Sequence, residues 1–401
     1  LYNSWYATTF HVNEEQQVEL ARIAKEIGVE LFVIDDGWFK GRKDDHAGLG
    51  DWVVDKEKFP NGLQPMIERI NDLGLDFGLW VEPEMVNPDS DLYRAHPDWV
   101  FHYPHRKRRE QRNQLMLNLA RDDVYEYLLD SLSTLLDENN IRFIKWDRNR
   151  SLTEPGWPEA DPETQREVRI RYVHNLYRLI DELQRRFPDV LFESCSGGGG
   201  RVDFGILSRM DQVWTSDNTD PSHRVMIQDG FLHAFPSNLM VSWVTDESWQ
   251  GLDFPLAFRF HVCMSGVLGV GSDLTKWSQE ERDIASRMIA QYKDIREIVQ
   301  EGEVYRLISP FDQNRSAIEY VGRDGSEAVV FFYSLLDTLE GSRRDDKVSP
   351  FVRLHGLDPD ATYRLSGDRK GVVGGRTLMN IGIPWFLRGS FTSGIVTIRK
   401  E

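Results

Sequence analysis

Cysteine is scarce: the 401 residues contain only Cys195 and Cys263. Two thiols cannot build the multi-bridge framework of a small secreted domain, so a reducing compartment, the cytoplasm, is the expected location. Long apolar runs are missing as well. None approaches the ~18 residues that a spanning helix needs, and no secretory leader pattern opens the sequence, which starts at Leu1 rather than Met. Positive charge is in deficit, with 48 Lys and Arg against 65 Asp and Glu and a net charge of −17. Nucleic acids and anionic membranes both select a basic footprint, so neither is expected as a partner. The one basic run, Arg106-Lys107-Arg108-Arg109, lies among His105, Glu110 and Gln111 and reads as a solvated loop. There is no HExxH, and no His stands at metal-ligand spacing from the acidic pair Asp35-Asp36. The glycine run Gly197 to Gly200 lacks the Lys-Ser/Thr that completes a phosphate loop. No metal or cofactor is therefore expected.

What is present is ample core material: 40% apolar residues, 11% aromatic, and twelve Trp. The length suits two domains better than one. Short apolar runs recur near residues 3, 32, 78, 144, 192, 213, 241 and 268. Helical segments separate most of them: Asn13 to Ile27, Leu63 to Leu73, Asp122 to Asn139, Pro162 to Phe187 and Ser278 to Val299. Asn13-Glu14-Glu15-Gln16 reads as a capping box, and Gly28 and Gly74 as helix stops. Strand–helix alternation repeated about eight times is the pattern of a (β/α)8 barrel. A doubly wound sheet is the rival, but Asn3-Ser4-Trp5 after the first strand is no glycine fingerprint. Beyond residue 302 the texture changes to alternating runs at 317–321, 328–333, 351–354, 362–365 and 395–398, punctuated by Gly and Asp. The expected organisation is thus a barrel over residues 1–301 and a smaller antiparallel β-sandwich over 302–401.

The chemistry-bearing residues follow the strands. Phe143-Ile144-Lys145-Trp146-Asp147-Arg148-Asn149-Arg150 begins as a buried strand and stops in a charged cluster, as at the C-terminal mouth of a barrel. Asp147, flanked by cations that favour its ionised form, is a candidate nucleophile. Asp217 holds the equivalent place after Val213-Trp214-Thr215-Ser216. Two carboxylates, one ionised and one protonated, are what glycosidic cleavage requires. Adjacent Asp35 and Asp36 offer several acceptors to sugar hydroxyls. Lys145, two positions before Asp147 and on the same strand face, is a cation for hydroxyls and for Asp147. Arg112 is read as a second such cation. The glycines near Gly197 suit close backbone approach to a ligand. Cys195 has no His set against it in sequence and is not read as a nucleophile. Trp5, Trp38 and Trp80 each follow or end a strand, where sugar stacking and core packing compete as explanations.

Taken together, Asn3-Ser4-Trp5, Asp35-Asp36-Gly37-Trp38, Leu79-Trp80-Val81-Glu82-Pro83-Glu84-Met85, Lys145-Trp146-Asp147-Arg148-Asn149, Cys195-Ser196-Gly197-Gly198-Gly199 and Trp214-Thr215-Ser216-Asp217-Asn218-Thr219-Asp220 resemble the α-galactosidases of glycoside hydrolase family 36. The resemblance spans residues 3 to 220 in the family's order. It implies a retaining exo-α-galactosidase acting on terminal α-1,6-linked galactose, as in melibiose and the raffinose-family oligosaccharides. Asp147 is then the nucleophile and Asp217 the acid/base. Asp35 and Asp36 take the 4- and 6-hydroxyls, with Trp5, Trp80, Arg112, Lys145, Asn149, Cys195 and Gly197 in the galactose pocket. Family members carry an N-terminal β-supersandwich that contributes to the active-site rim and to a tetramer. The present sequence does not include it, so a homo-oligomer is an expectation from the family alone. Two rivals stand beside the hydrolase: a galactosyl-transferring enzyme of the raffinose-synthase kind, and an inactive galactose-binding fragment. α-N-acetylgalactosaminidase activity is a weaker third, since Cys195 near the sugar 2-position leaves little room for an acetamide.

Overall fold

Short strands of buried residues alternate with amphipathic helices in the computed structural model, which describes residues 1–248, 251–336 and 350–401. β1 (Tyr2–Asn3) leads through the single turn α1 (Trp5–Thr8) to α2 (Glu14–Glu26). The Asn13 side chain caps α2 by accepting from the Gln16 amide, and Leu20, Ala21, Ile23 and Ala24 form its buried stripe. β2 (Leu31–Ile34), α3 (Gln64–Asp72) and β3 (Asp76–Val81) follow. An excursion then carries the ribbon β4 (Met85–Val86) with β5 (Leu115–Met116), and between them the short α4 (Asp91–Ala95). α5 (Asp122–Glu138), β6 (Phe143–Trp146), α6 (Pro162–Arg186), β7 (Leu191–Ser194), α7 (Phe204–Leu207) and β8 (Gln212–Trp214) continue the alternation. α8 (Pro221–Phe231), β9 (Met240–Val244), α9 (Leu256–Cys263), β10 (Val267–Val270) and α10 (Gln279–Glu301) complete it.

Eight of these strands close a barrel in the order β1-β10-β9-β8-β7-β6-β3-β2, with β4 and β5 outside it. Each of the eight expected strands is present, and their pairings are parallel. Register sets which side chains share a layer: Trp80, Lys145 and Glu193 lie side by side on β3, β6 and β7. One glycine is required by packing. A Cβ on Gly78 would stand 2.9 Å from the Phe143 ring on the neighbouring strand, so only Gly admits that Phe. By contacts the chain divides into two compact units, Leu1–Trp214 with Gly271–Lys276, and Thr215–Val270 with Trp277–Glu401.

The C-terminal residues form a six-stranded antiparallel sheet and a separate two-stranded ribbon. The elements are β11 (Glu303–Ile308), β12 (Arg315–Val321), β13 (Glu327–Ser334), β14 (Phe351–Val352), β15 (Thr362–Gly367), β16 (Gly371–Gly374), α11 (Gly375–Asn380), β17 (Ile383–Pro384) and β18 (Thr392–Lys400). Period-two alternation divides β13 cleanly. Ala328, Val330 and Phe332 enter a core with Val352 of β14, Ile383 of β17 and Leu378 of α11. The alternate residues turn to α9 and α10: the Tyr333 hydroxyl donates to the His261 carbonyl at 2.9 Å, and Phe258 meets the Tyr333 ring edge-on. The Tyr320 hydroxyl of β12 donates to the Ser265 carbonyl. β12 and β13 are therefore buried on both faces, which is why β13 reads as an almost unbroken apolar run.

Candidate active site

Asp147 is the first residue past β6 and is only 6% exposed. Its carboxylate is surrounded by donors. Oδ1 accepts from the Arg148 amide at 2.7 Å and the Gly197 amide at 3.3 Å. Oδ2 accepts from the Asn149 side-chain amide at 2.6 Å and from Trp80 Nε1 at 3.3 Å. Each has a positional cause. Trp80 and Lys145 are register partners across β3 and β6, and Gly197 follows β7 with φ +53°, a left-handed turn that aims its N–H at the carboxylate. Such a cradle fixes the plane of the carboxylate.

The acidic pair lies in the same cluster and its two members have different partners. Asp35 Oδ2 accepts from Lys145 Nζ at 2.6 Å and from Asn3 Nδ2 at 2.7 Å, and the Asp35 amide donates to Ser4 Oγ. Lys145 thus makes its direct ion pair with Asp35 rather than with Asp147, and with Cys195, Glu193 and Asp147 nearby its ammonium is held more firmly protonated than usual, against the cost of burial. Asp36 is gripped from one side by Arg42, whose Nε and Nη2 reach the two carboxylate oxygens at 2.9 and 2.7 Å. Burial pushes the Asp36 carboxyl up, and Arg42 is the main opposing influence, assisted more weakly by Arg112. Arg112 itself is exposed, in a turn with φ +56°.

Two further acids lie beneath the cradle. Glu82, fully buried, accepts from the Asn149 main-chain amide and from Gln114 Nε2. Burial first, then the charge of Asp147, push its carboxyl up to about 8. Glu84 receives Trp146 Nε1 at 2.9 Å, Arg201 at 2.8 Å and the Tyr172 hydroxyl. Burial opposes its charge, but Arg201, Arg148 and those two donors prevail and hold it below its usual range. Glu193 is raised to about 7, again mainly by burial, with Lys145 opposing.

The structure thus brings Asp35, Asp36, Trp80, Lys145, Asp147, Asn149 and Gly197 into one hydrogen-bonded neighbourhood, with Cys195 buried between Asn149 and Gly197 in sequence order on the far side of β7 from its start. Trp5 is half-buried, with its amide on Asn3 Oδ1 and its ring edge-on to Phe10. Trp38 is fully buried, with Nε1 on the Trp80 carbonyl, and is a core residue rather than a stacking platform. Asp217 belongs to the second compact unit, three residues beyond the end of β8, and is exposed. Its segment is shaped by the Asn218 amide on Ser216 Oγ, by Asn218 against His223, and by Asp220 capping α8. Sequence reasoning missed Arg42 and assigned no role to Glu82. The signal for Glu82 was available, since Glu82 and Glu84 directly follow the buried run ending at Val81. Among the described residues, Asp44, Asp45 and His46 bring side-chain ligand atoms within reach of one another, on the surface loop near Arg42. No helix among the described residues is long and apolar enough to cross a membrane.

Comparison with known proteins shows the family of this chain. Residues 1–302 match the melibiase family and residues 315–398 match the glycosyl hydrolase family 36 C-terminal domain. The α-galactosidase AgaA of Geobacillus stearothermophilus is 46% identical over 392 residues, which is 97% of this chain and 53% of that protein. α-Galactosidase C of Emericella nidulans is 40% identical over 100% of this chain and 53% of its own length. The crystal structure of AgaA superposes with a TM-score of 0.95, covering 100% of this chain and 55% of that one. Variants of AgaA have been crystallised with raffinose and with stachyose. The chain spans about half the length of the curated relatives it matches. It belongs to the melibiases of glycoside hydrolase family 36.

Proposed function

We propose that this chain is the catalytic portion of a retaining exo-α-galactosidase that hydrolyses terminal α-1,6-linked galactose from melibiose and raffinose-family oligosaccharides. The observation that carries the reading is the Asp147 carboxylate, fixed by four donors at the end of β6. In this reading Asp147 attacks the anomeric carbon while Asp217 protonates the departing glycosidic oxygen. A β-galactosyl ester forms. Asp217 then takes a proton from water, which displaces Asp147 and returns galactose in the α configuration. Asp35, Asp36 and Lys145 receive the sugar hydroxyls, with Trp5, Trp80, Arg112, Asn149, Cys195 and Gly197 around them. Hydrolysis is favoured over galactosyl transfer because the curated relatives are α-galactosidases. A cytoplasmic location rests on the two cysteines, neither in a disulfide; homo-oligomer formation rests on the family resemblance.

The test is stereochemical. Proton NMR during turnover of an aryl α-galactoside should show α-galactose as the first product. Asp147→Ala should be inert and should regain turnover with azide, yielding β-galactosyl azide. Asp217→Ala should keep measurable activity on aryl galactosides whose leaving group needs no proton. In a substrate complex the two carboxyl groups should lie about 5–5.5 Å apart. First-formed β-galactose, or an Asp147→Ala enzyme with its aryl-galactoside rate intact, would refute the assignment.

A further inference from the structure

Asn149 is held at two points. Its side-chain amide donates to Asp147 Oδ2 at 2.6 Å, and its main-chain amide donates to Glu82 Oε1. Glu82 is itself immobilised: it is fully buried, its other oxygen accepts from Gln114 Nε2, and its carbonyl receives the Met85 amide. The adjoining strands carry the same alignment, with the Asp147 amide donating to the Val81 carbonyl at 2.8 Å. A residue one step past the end of β3 therefore reaches, through one peptide, the residue one step past the end of β6. The main-chain anchor fixes the backbone from which the Asn149 side chain reaches Asp147.

We propose that Glu82 is a positioning residue for the reaction, anchoring the Asn149 peptide so that the Asn149 side chain holds Asp147 in its attacking orientation. The inference rests on the reading of Asp147 as nucleophile. Glu82 does not touch the reacting atoms, and its contribution is the accepting oxygen. Near neutrality that oxygen belongs to a neutral acid, because burial and the Asp147 charge raise Glu82 to about 8. The neighbouring cation Arg42 is already committed to Asp36. A second anion beside Asp147 is thereby avoided, while the acceptor is kept.

The neutral acid has a close isostere in Gln, which retains the carbonyl, and a size match without an acceptor in Met. Steady-state kinetics of Glu82→Gln and Glu82→Met on an aryl α-galactoside separate anchoring from packing. Glu82→Gln should keep kcat within a few-fold of the parent chain. Glu82→Met should lose about 10²-fold in kcat, the scale expected for a displaced reacting group, with KM little changed because the hydroxyl-binding acids are untouched. A Met variant with parental kcat overturns the proposal, since volume alone then suffices. A Gln variant as slow as the Met variant also overturns it, since an acceptor at this position is then not enough. Asp147→Gly with azide, run in parallel, isolates the underlying reading: if that variant turns over without azide, the nucleophile assignment fails, whereas an azide-dependent Asp147→Gly beside an unaffected Glu82→Met sinks only the role of Glu82.

Discussion

Arg42 shows how a buried side chain can oppose the cost of burying a carboxylate. It is 1% exposed, gives two donors to Asp36 and two more to the Ala47 carbonyl and Asn87 Oδ1, and lies over the rings of Phe10 and Phe39. Removing one member of such a buried pair costs about 3–5 kcal/mol, because the survivor remains charged and dry. Arg42→Met should therefore be destabilised by roughly that amount at pH 7 in urea unfolding. The loss has a definite pH dependence. Asp36 is already raised by burial with Arg42 in place; without Arg42 it binds its proton more tightly still, so the variant loses more stability than the parent as pH rises above the unfolded value of about 3.9. The gap between variant and parent should accordingly narrow as pH falls toward that value. A gap independent of pH would mean that Arg42 matters only for packing. Arg42 was illegible in the sequence because it lies in a polar loop, Gly41-Arg42-Lys43-Asp44-Asp45, where solvation is the ordinary expectation. Asp35, Asp36 and Asp147 were legible because each ends an unmistakable apolar run.

Glu319, within β12, makes an equally specific demand on its strand. Its side chain is buried, with Oε2 accepting from the His355 amide at 2.8 Å, and among the described residues Oε1 has no hydrogen-bond partner. Burial raises the carboxyl to about 8 from an unfolded value of 4.5. Between those values the folded state holds a proton that the unfolded chain has released, so stability falls with rising pH by up to about 1.4 kcal/mol per pH unit. Glu319→Gln mimics the protonated form and removes that slope. Its thermal unfolding should match the parent near pH 5 and exceed it at pH 9; a parent advantage at pH 9 would show that Glu319 is ionised and paired when folded. At the scale of elements the sequence was read well where the period was clean. The eight barrel strands and five long helices stand where periodicity put them. α9 was missed because Leu256-Ala257-Phe258-Arg259-Phe260-His261-Val262-Cys263 is apolar nearly all round and shows no polar face. β16 was missed because Gly371-Val372-Val373-Gly374 is exposed and glycine-bounded, and β17 because it is two residues ending in Pro384.

The whole molecule is partitioned by contacts in a way that composition does not suggest. A change of texture near residue 302 marks where helices give way to strands, yet β9, α9, β10 and α10 belong to the same compact unit as the C-terminal sheet. The hydroxyls of Tyr320 and Tyr333 reach back to the main chain at Ser265 and His261. A chain ended at residue 302 should therefore leave the α9–α10 surface bare and fail to give a cooperative melt in calorimetry, whereas a chain ended after Lys400 should melt as the parent does. A soluble, cooperatively melting 1–302 fragment would contradict this. The same arrangement has a consequence for synthesis on the ribosome. Strands β1 to β8 emerge more than a hundred residues ahead of β18, the strand that lies between β13 and β15 in the sheet on which α9 and α10 rest. The last quarter of the barrel thus acquires its supporting surface only once β18 has been made, so barrel closure comes late in the life of the nascent chain, and the early strands wait with an open edge until then.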